Sequence, residues 1–254
     1  MRGKLLILLA IAALAGFPLQ ARAVTITMGT AANFAILGGS AVSNTGSSVI
    51  NNGNVGSSPT STVNGFPPGV VNNGILYLAA DPATAQAHTD LVIAYTAAQT
   101  ALGGSPGPAD LGGATLTPGA YTYASTAPWT AGTLTLDGLG NPNAQWIFQI
   151  GTGLTTPAGA AVVLINGASS DHVFWQVGSS AVLGATNTFA GNILANTSIT
   201  LGGGTLNGRA LAIGGAVTIT TAETINVPEP GTLVLLVSGM VSLFASKKKA
   251  VAVA

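Results

Sequence analysis

The sequence predicts a mainly β solenoid with one α-helix laid along its axis, on three observations. Three segments, Val173–Gly184, Gly191–Gly202 and Gly208–Thr220, repeat one pattern. Aligning Ser180 with Ser198 and Ala216 gives a period of about 18 residues and two apolar columns, Ala181/Ile199/Val217 and Leu183/Leu201/Ile219. A unit of this length, apolar at alternate positions and turned by glycine, cannot bury its own apolar face and must stack on a neighbour. Second, a single segment breaks the β pattern: Asp81-Pro82 is an N-cap followed by a proline suited to the first helical turn, and helix formers run on to about Leu102. Third, Gly and Asn recur where a coil must turn sharply, since both tolerate positive φ.

The elements follow in order. Arg2 and Lys4, the apolar run Leu5–Leu14 and Ala21-Arg22-Ala23 form a secretory signal over residues 1–23. The body is expected over 24–226, with strands at Val70–Leu78, Gly119–Ala124, Gly132–Leu136, Trp146–Ile150 and Ala161–Ile165 besides the three repeated coils. In the helix, about residues 81–102, His88, Leu91, Tyr95, Ala98 and Leu102 recur every three or four positions and form one stripe that would dock on the solenoid. Gly103-Gly-Ser-Pro-Gly-Pro108 stops it. From 227 to 254, Val-Pro-Glu-Pro230 leads into an apolar run to Ala245 and then Lys247–Lys249. About 15 apolar residues fall short of the roughly 20 that span a bilayer.

Charge excludes several partner classes. Arg209 is the only basic residue between Val24 and Val227, set against Asp81, Asp90, Asp110, Asp137, Asp171 and Glu223. One arginine cannot neutralise a phosphate backbone, so nucleic acid is excluded, and an anionic membrane surface is disfavoured for the body. The chain contains no cysteine, so roughly 200 residues must hold together by burial alone.

The C-terminal segment resembles the Pro-Glu-Pro sorting signal of Gram-negative bacteria, which implies an exosortase-type processing enzyme as partner and transient membrane association of the tail. It also implies a secreted, extracellular or outer-surface destination. The body resembles the microbial ice-binding protein family, through Phe34-Ala-Ile-Leu-Gly-Gly-Ser40, Gly65-Phe-Pro-Pro-Gly69, Asp110-Leu-Gly-Gly113 and Leu116-Thr-Pro-Gly-Ala-Tyr121. Further matches are Thr133-Leu-Thr-Leu-Asp-Gly138, Asn141-Pro-Asn-Ala144, Trp146–Gly151, Val163–Gly167, Val173–Gly178, Gly191–Ala195 and Asn207–Leu211. That resemblance implies a discontinuous right-handed β-helix of roughly triangular section, with N- and C-terminal coils side by side, an α-helix along one face and a flat face that adsorbs to ice. No cofactor or metal is implied.

Stacked coils repeat at about 4.7–4.9 Å and same-side residues along a strand at about 6.6 Å, so outward side chains form a near-regular lattice. Threonine suits such a lattice because its hydroxyl anchors water while its branched Cβ limits rotamers. The candidate rows are Thr133 and Thr135, then Ser180 beside Val182, Ser198 and Thr200, and Ala216, Thr218 and Thr220. By the family's pattern, N-terminal loops add Ser43 and Thr45, and Thr62 and Asn64. Val182 and Ala216 interrupt a regular ladder.

No catalytic arrangement is expected. Ser169, Ser170, Asp171 and His172 are neighbours in a turn and cannot adopt triad geometry. Asp137, Asn141 and Asn143 read as a turn with Asx hydrogen bonds rather than a cation loop. Asp110, Asp171 and Glu223 form no glycosidase-like pair, and Gly202-Gly-Gly204 lacks the residues of a phosphate loop. A different class of function, a non-catalytic structural or adhesive module of an extracellular matrix or biofilm, is the alternative.

Overall fold

The computed structural model describes residues 25–228. The signal expected over 1–23 and nearly all of the segment expected from 227 lie outside them. The chain first forms β1 (Phe34–Gly38), β2 (Val42–Asn44), β3 (Val49–Asn51), β4 (Asn54–Ser57), β5 (Val63–Asn64) and β6 (Val70–Asn72), and then the helix α1 (Pro82–Gln99). There follow β7 (Ser105–Pro106), β8 (Thr115–Leu116), β9 (Gly119–Tyr123), β10 (Thr133–Asp137), β11 (Trp146–Ile150), β12 (Leu154–Thr155) and β13 (Ala161–Ile165). The last part comprises β14 (Val173–Val177), β15 (Ala181–Leu183), β16 (Asn187–Ala195), β17 (Ile199–Leu201), β18 (Gly204–Ala212), β19 (Val217–Ile219) and β20 (Glu223–Asn226).

The pairings are parallel, as in a right-handed β-helix, and they build three faces. A narrow face is the six-stranded sheet β12-β15-β17-β19-β2-β5. The 14-stranded sheet supplies the other two, because β16 and β18 run across a corner of the solenoid. Their first halves belong to a broad face with β8, β10, β13, β20, β3 and β6, and their second halves to a covered face with β7, β9, β11, β14, β1 and β4. The bend falls at Gly191 (φ +114°) and Gly208 (φ +149°). A Cβ on Gly208 would sit 2.0 Å from the Gly191 carbonyl oxygen, so only glycine allows adjacent coils to turn together here.

The coil order is discontinuous. β20 crosses the broad face and leaves at its edge with the covered face, and β1 enters the covered face at that same edge, paired with β18 and β4. β20 and β1, from opposite ends of the body, thus complete one coil. The N-terminal coils β1–β6 continue a stack that the C-terminal coils began. α1 carries the chain back to the far end. Its 18 residues span about 27 Å, close to the six strand spacings of about 4.8 Å from β4 to β9 on the covered face.

Inside, the repeated columns behave as the sequence indicates: Ala181, Leu183, Ile199, Leu201, Val217 and Ile219 are buried. Towards the β9 end the core becomes aromatic. Phe148 and Trp175 stack in register with ring centroids 3.9 Å apart at 7°, Tyr121 stacks on Phe148 and Phe189 tilts against Trp175. The Trp175 indole N–H donates to the Ala190 carbonyl, so its polar atom is satisfied.

A second apolar layer lies outside the covered face, where Leu37, Ile147, Phe174, Leu194 and Leu211 meet Ala87, Leu91, Ala94, Tyr95 and Ala98 of α1. Alanines at three of these helical positions let the axis approach the sheet closely. The docking stripe differs from the expected one at two points. His88 is half-buried and its Nε2 meets the Ile213 carbonyl at 2.8 Å. Leu102 lies beyond the helix and is 83% exposed, because the chain has already turned away at Thr100. Asp81 caps the helix start, donated to by the Ala83 N–H, and the Gln149 amide donates to the carbonyls of Ala98, Gln99 and Ala101 at its end. The expected strand Val70–Leu78 is cut short at Asn72, where Asn73 takes positive φ, and only Leu76 bridges back to Val55.

Two buried polar groups give measurable stability predictions. Arg209 donates to Asp171 Oδ1 at 2.7 Å, to Asn192 Oδ1 at 2.8 Å and to the Ala32 carbonyl at 2.9 Å, tying β18, β16 and the chain entry together. Arg209→Met should cost about 3 kcal/mol in denaturant unfolding, and the double change with Asp171→Asn less than the sum of the two single changes. Glu223 sits at the corner between the narrow and broad faces, where burial pushes its carboxyl from an ordinary 4.5 up to about 7 against a weaker pull from the Gly203 N–H. The group folds most favourably when protonated, so its contribution is complete below about pH 4.5 and is lost as pH rises through 7. Hydrogen bonds hold the Asp90, Asp110 and Asp137 carboxyls below their usual range, so their influence is confined to more acid solutions. Between pH 5 and 8 the melting temperature should therefore fall, by the equivalent of on the order of 2 kcal/mol, and Glu223→Gln should flatten that dependence.

Candidate functional site

The narrow face, which no described element covers, gathers most of the hydroxyl-bearing candidates. Its strands are two or three residues long, and one side chain of each points outward. In register these are Thr155, Val182, Thr200, Thr218, Ser43 and Asn64. A flanking row follows from the backbone bonds that join Leu154 to Ser180, Ala181 to Ser198, Ile199 to Ala216, Val217 to Ala41 and Val42 to Thr62. That row reads Ser180, Ser198, Ala216, Ala41 and Thr62. On the other flank stand Thr220 and Thr45, beside the corner glycines Gly184 and Gly202.

The hydroxyls are not equivalent. Ser180 and Ser198 are hydrogen-bonded to each other at 2.9 Å. Thr45 donates to the carbonyls of Ile219 and Thr220, Thr220 to that of Leu201 and Thr221 to that of Gly202, so these three serve the corner. The Thr155, Thr200, Thr218, Ser43 and Thr62 hydroxyls are engaged by no other described residue and are left to solvent. The central row is held from beneath by fully buried Ala181, Ile199, Val217 and Val42, which fix its height.

Thr133 and Thr135 lie elsewhere. Both are on β10, in the broad face, where Thr133 is beside Ala161 and Thr135 lies between Thr115 and Val163. Alternation shows that they point outward but not out of which face. The neighbour of Val182 on the narrow face is Thr155, on a two-residue strand with no repeat around it. Its only trace in the sequence is the spacing from Leu154 to the apolar column at Ala181.

The broad face has its own order. Thr188, Thr205 and Thr224 are in register, and beside them Asn72, Asn51, Asn226 and Asn207 form a ladder in which each amide nitrogen donates to the next residue's amide oxygen at 2.9–3.1 Å. These amides satisfy one another, and Asp137 adds a charge to the same face. Asp137 accepts from the Leu139 N–H and the Asn166 amide, and Asn141 from the Asn143 N–H, an arrangement of Asx turns. Asp171 is bound to Arg209 rather than oriented on His172.

The comparisons with known proteins agree with this architecture. A family model described as ice-binding-like matches residues 36–226, and one described as the PEP-CTERM protein-sorting motif matches residues 226–249. An ice-binding protein of Nostoc sp. (strain HG1) is 47% identical over 97% of this chain and 96% of its own length. Among solved structures, an ice-binding protein from the Antarctic ascomycete Antarctomyces psychrotrophicus superposes with a TM-score of 0.74 at 38% identity, covering 81% of this chain and 99% of that one. The ice-binding protein domain of Shewanella frigidimarina gives 0.73 at 31% identity, covering 81% and 99%. With its three-sided parallel solenoid, its flanking helix and the family pattern matched across nearly the whole body, this chain belongs to the ice-binding-like family.

Proposed function

We propose that this protein adsorbs to ice through the narrow face, with Thr155, Thr200, Thr218 and Ser43 at the centre of the contact and Thr62, Asn64, Ser180 and Ser198 around it. The observation that carries this reading is the in-register row of solvent-facing hydroxyls on a face that, among the described residues, has no charge and no covering element. Coils about 4.8 Å apart hold these groups on a rigid lattice, so bridging water is ordered at little further entropic cost. Val182 and Ala216 interrupt the hydroxyls without adding charge or bulk, so the face stays level there. Thr45, Thr220 and the Asn ladder spend their polar atoms within the protein and are assigned a structural part. Thr133 and Thr135 belong to the broad face and stand outside this contact.

The protein is read as non-catalytic, because each carboxylate of the body has a structural post. Asp81 caps α1, Asp90 holds Thr30, Asp110 holds Thr130, Asp137 serves its turn, Asp171 pairs with Arg209, and Glu223 is buried in a corner. The sorting motif supports export to the cell surface or beyond, and with it a role in growth inhibition, in recrystallisation inhibition or in fastening a Gram-negative cell or its matrix to ice. Processing by an exosortase-type enzyme and transient membrane contact of the tail belong to the same reading.

Bulky substitutions test the face. Thr200→Tyr and Thr218→Tyr should each lower thermal hysteresis and recrystallisation inhibition about tenfold while leaving the melting temperature unchanged. Thr205→Tyr, on the broad face between Thr188 and Thr224, should leave both activities intact. Loss of activity with Thr205→Tyr alone would move the contact to the broad face. Absence of ice activity in the unsubstituted protein would leave a matrix module as the better reading.

A further inference from the structure

Both described ends of the body leave from one edge of the solenoid, and the sorting motif begins inside the fold. After β20 the chain reaches Val227, which is buried, donates its N–H to the Asn51 carbonyl and lies against Gly53. Pro228 is half-buried beside Ala32, Asn52 and Asn54. Since the motif spans 226–249, its first residues are packed into the body and no spacer separates the two. Thr27, near the other described end, lies beside Ala32, Asp171, His172 and Arg209 around a depression at the same edge.

That edge joins the covered and broad faces, and in a three-sided solenoid the narrow face lies directly opposite it. The covered face is about 15 Å wide, judged from strands of four or five residues at about 3.3 Å each, and the narrow face, with strands of two or three residues, is narrower. A tether rooted at either of the other two edges, near Thr197 or near Ala185 and Ala222, would bring the narrow face down beside the attachment surface. A flat ice plane could not then reach it. A long flexible spacer would erase the distinction, but Val227 and Pro228 leave none at the root.

We propose that the edge between the covered and broad faces is the anchoring edge: it faces whatever surface retains the tail, and the fold thereby presents the narrow face outward, away from that surface. The proposal rests on the reading of the narrow face as the ice contact. It assigns to Val227 and Pro228 the task of fixing orientation as well as ending the domain.

The absence of cysteine makes any introduced cysteine a unique attachment point. The full chain carrying Gly231→Cys, Thr27→Cys, Ala185→Cys or Ala222→Cys would be linked through a short rigid biotin linker to streptavidin beads, and bead adsorption to a polished ice surface counted. Beads loaded through Gly231→Cys and Thr27→Cys should adsorb about tenfold more than those loaded through Ala185→Cys or Ala222→Cys, while the four labelled proteins free in solution adsorb alike. Equal adsorption by all four bead types, or poor adsorption through Gly231→Cys, would overturn the anchoring edge while leaving the ice contact standing. Free proteins that fail to adsorb would sink the ice contact itself, and the orientation with it.

Discussion

Register between coils is the constraint on which every other feature depends. Each strand is only two to five residues long on its face, too short to be stable alone, and gains its partners only when the coil above and the coil below present matching backbone groups. A slip of one residue would turn Thr200 and Thr218 inward and expose Ile199 and Val217. The corners prevent that slip. Gly191 and Gly208 permit one conformation in which adjacent coils turn together, Arg209 on β18 bolts the turn before β14 across the intervening β16, and Glu223 fills the neighbouring corner with a group that is most at ease uncharged. Flatness of the narrow face is thus a property of the corners as much as of the strands.

The scarcity of charge follows from the same geometry. A surface side chain on a solenoid has neighbours about 4.8 Å away on both sides, so charges of one sign would repeat along a ladder and repel. Asparagine solves the problem on the broad face, where each inner amide of the ladder donates to one neighbour and accepts from the other. On the narrow face small hydroxyls solve it differently, because they need no partner within the protein and leave their bonding capacity to water. The two faces therefore use equally regular lattices for opposite ends, one closed on itself and one open.

Much of this was legible in the sequence because the repeat is strongest where coils stack without interruption. Ala181, Ile199 and Val217 give the period, and the helix is announced by Asp81-Pro82 and ended by Gly103-Gly104. The less legible parts are those where three-dimensional closure outweighs local pattern. Period-two alternation tells inside from outside but not one face from another, which is why Thr133 and Thr135 stand with the wrong neighbours when read linearly. Thr155 sits on a strand too short to carry any pattern. The pairing of β20 with β3, which joins residues about 175 positions apart, has no local signature, and the resemblance to a known family supplied what the periodicity of this chain could not.

The match between the length of α1 and the height of the stack makes the helix a ruler. It is pinned at mid-length by the Thr30 bonds to Asp90 and at its end by the Gln149 amide, and its alanine stripe seals the outer apolar layer. A further coil would lengthen the stack by about 4.8 Å and leave one row of Leu or Ile uncovered unless the helix grew by about three residues at the same time. Growth of the narrow face is consequently coupled to growth of an element on another side of the molecule. Proteins built on this plan can change the chemistry of their rows one residue at a time, whereas the extent of the face changes only in paired steps.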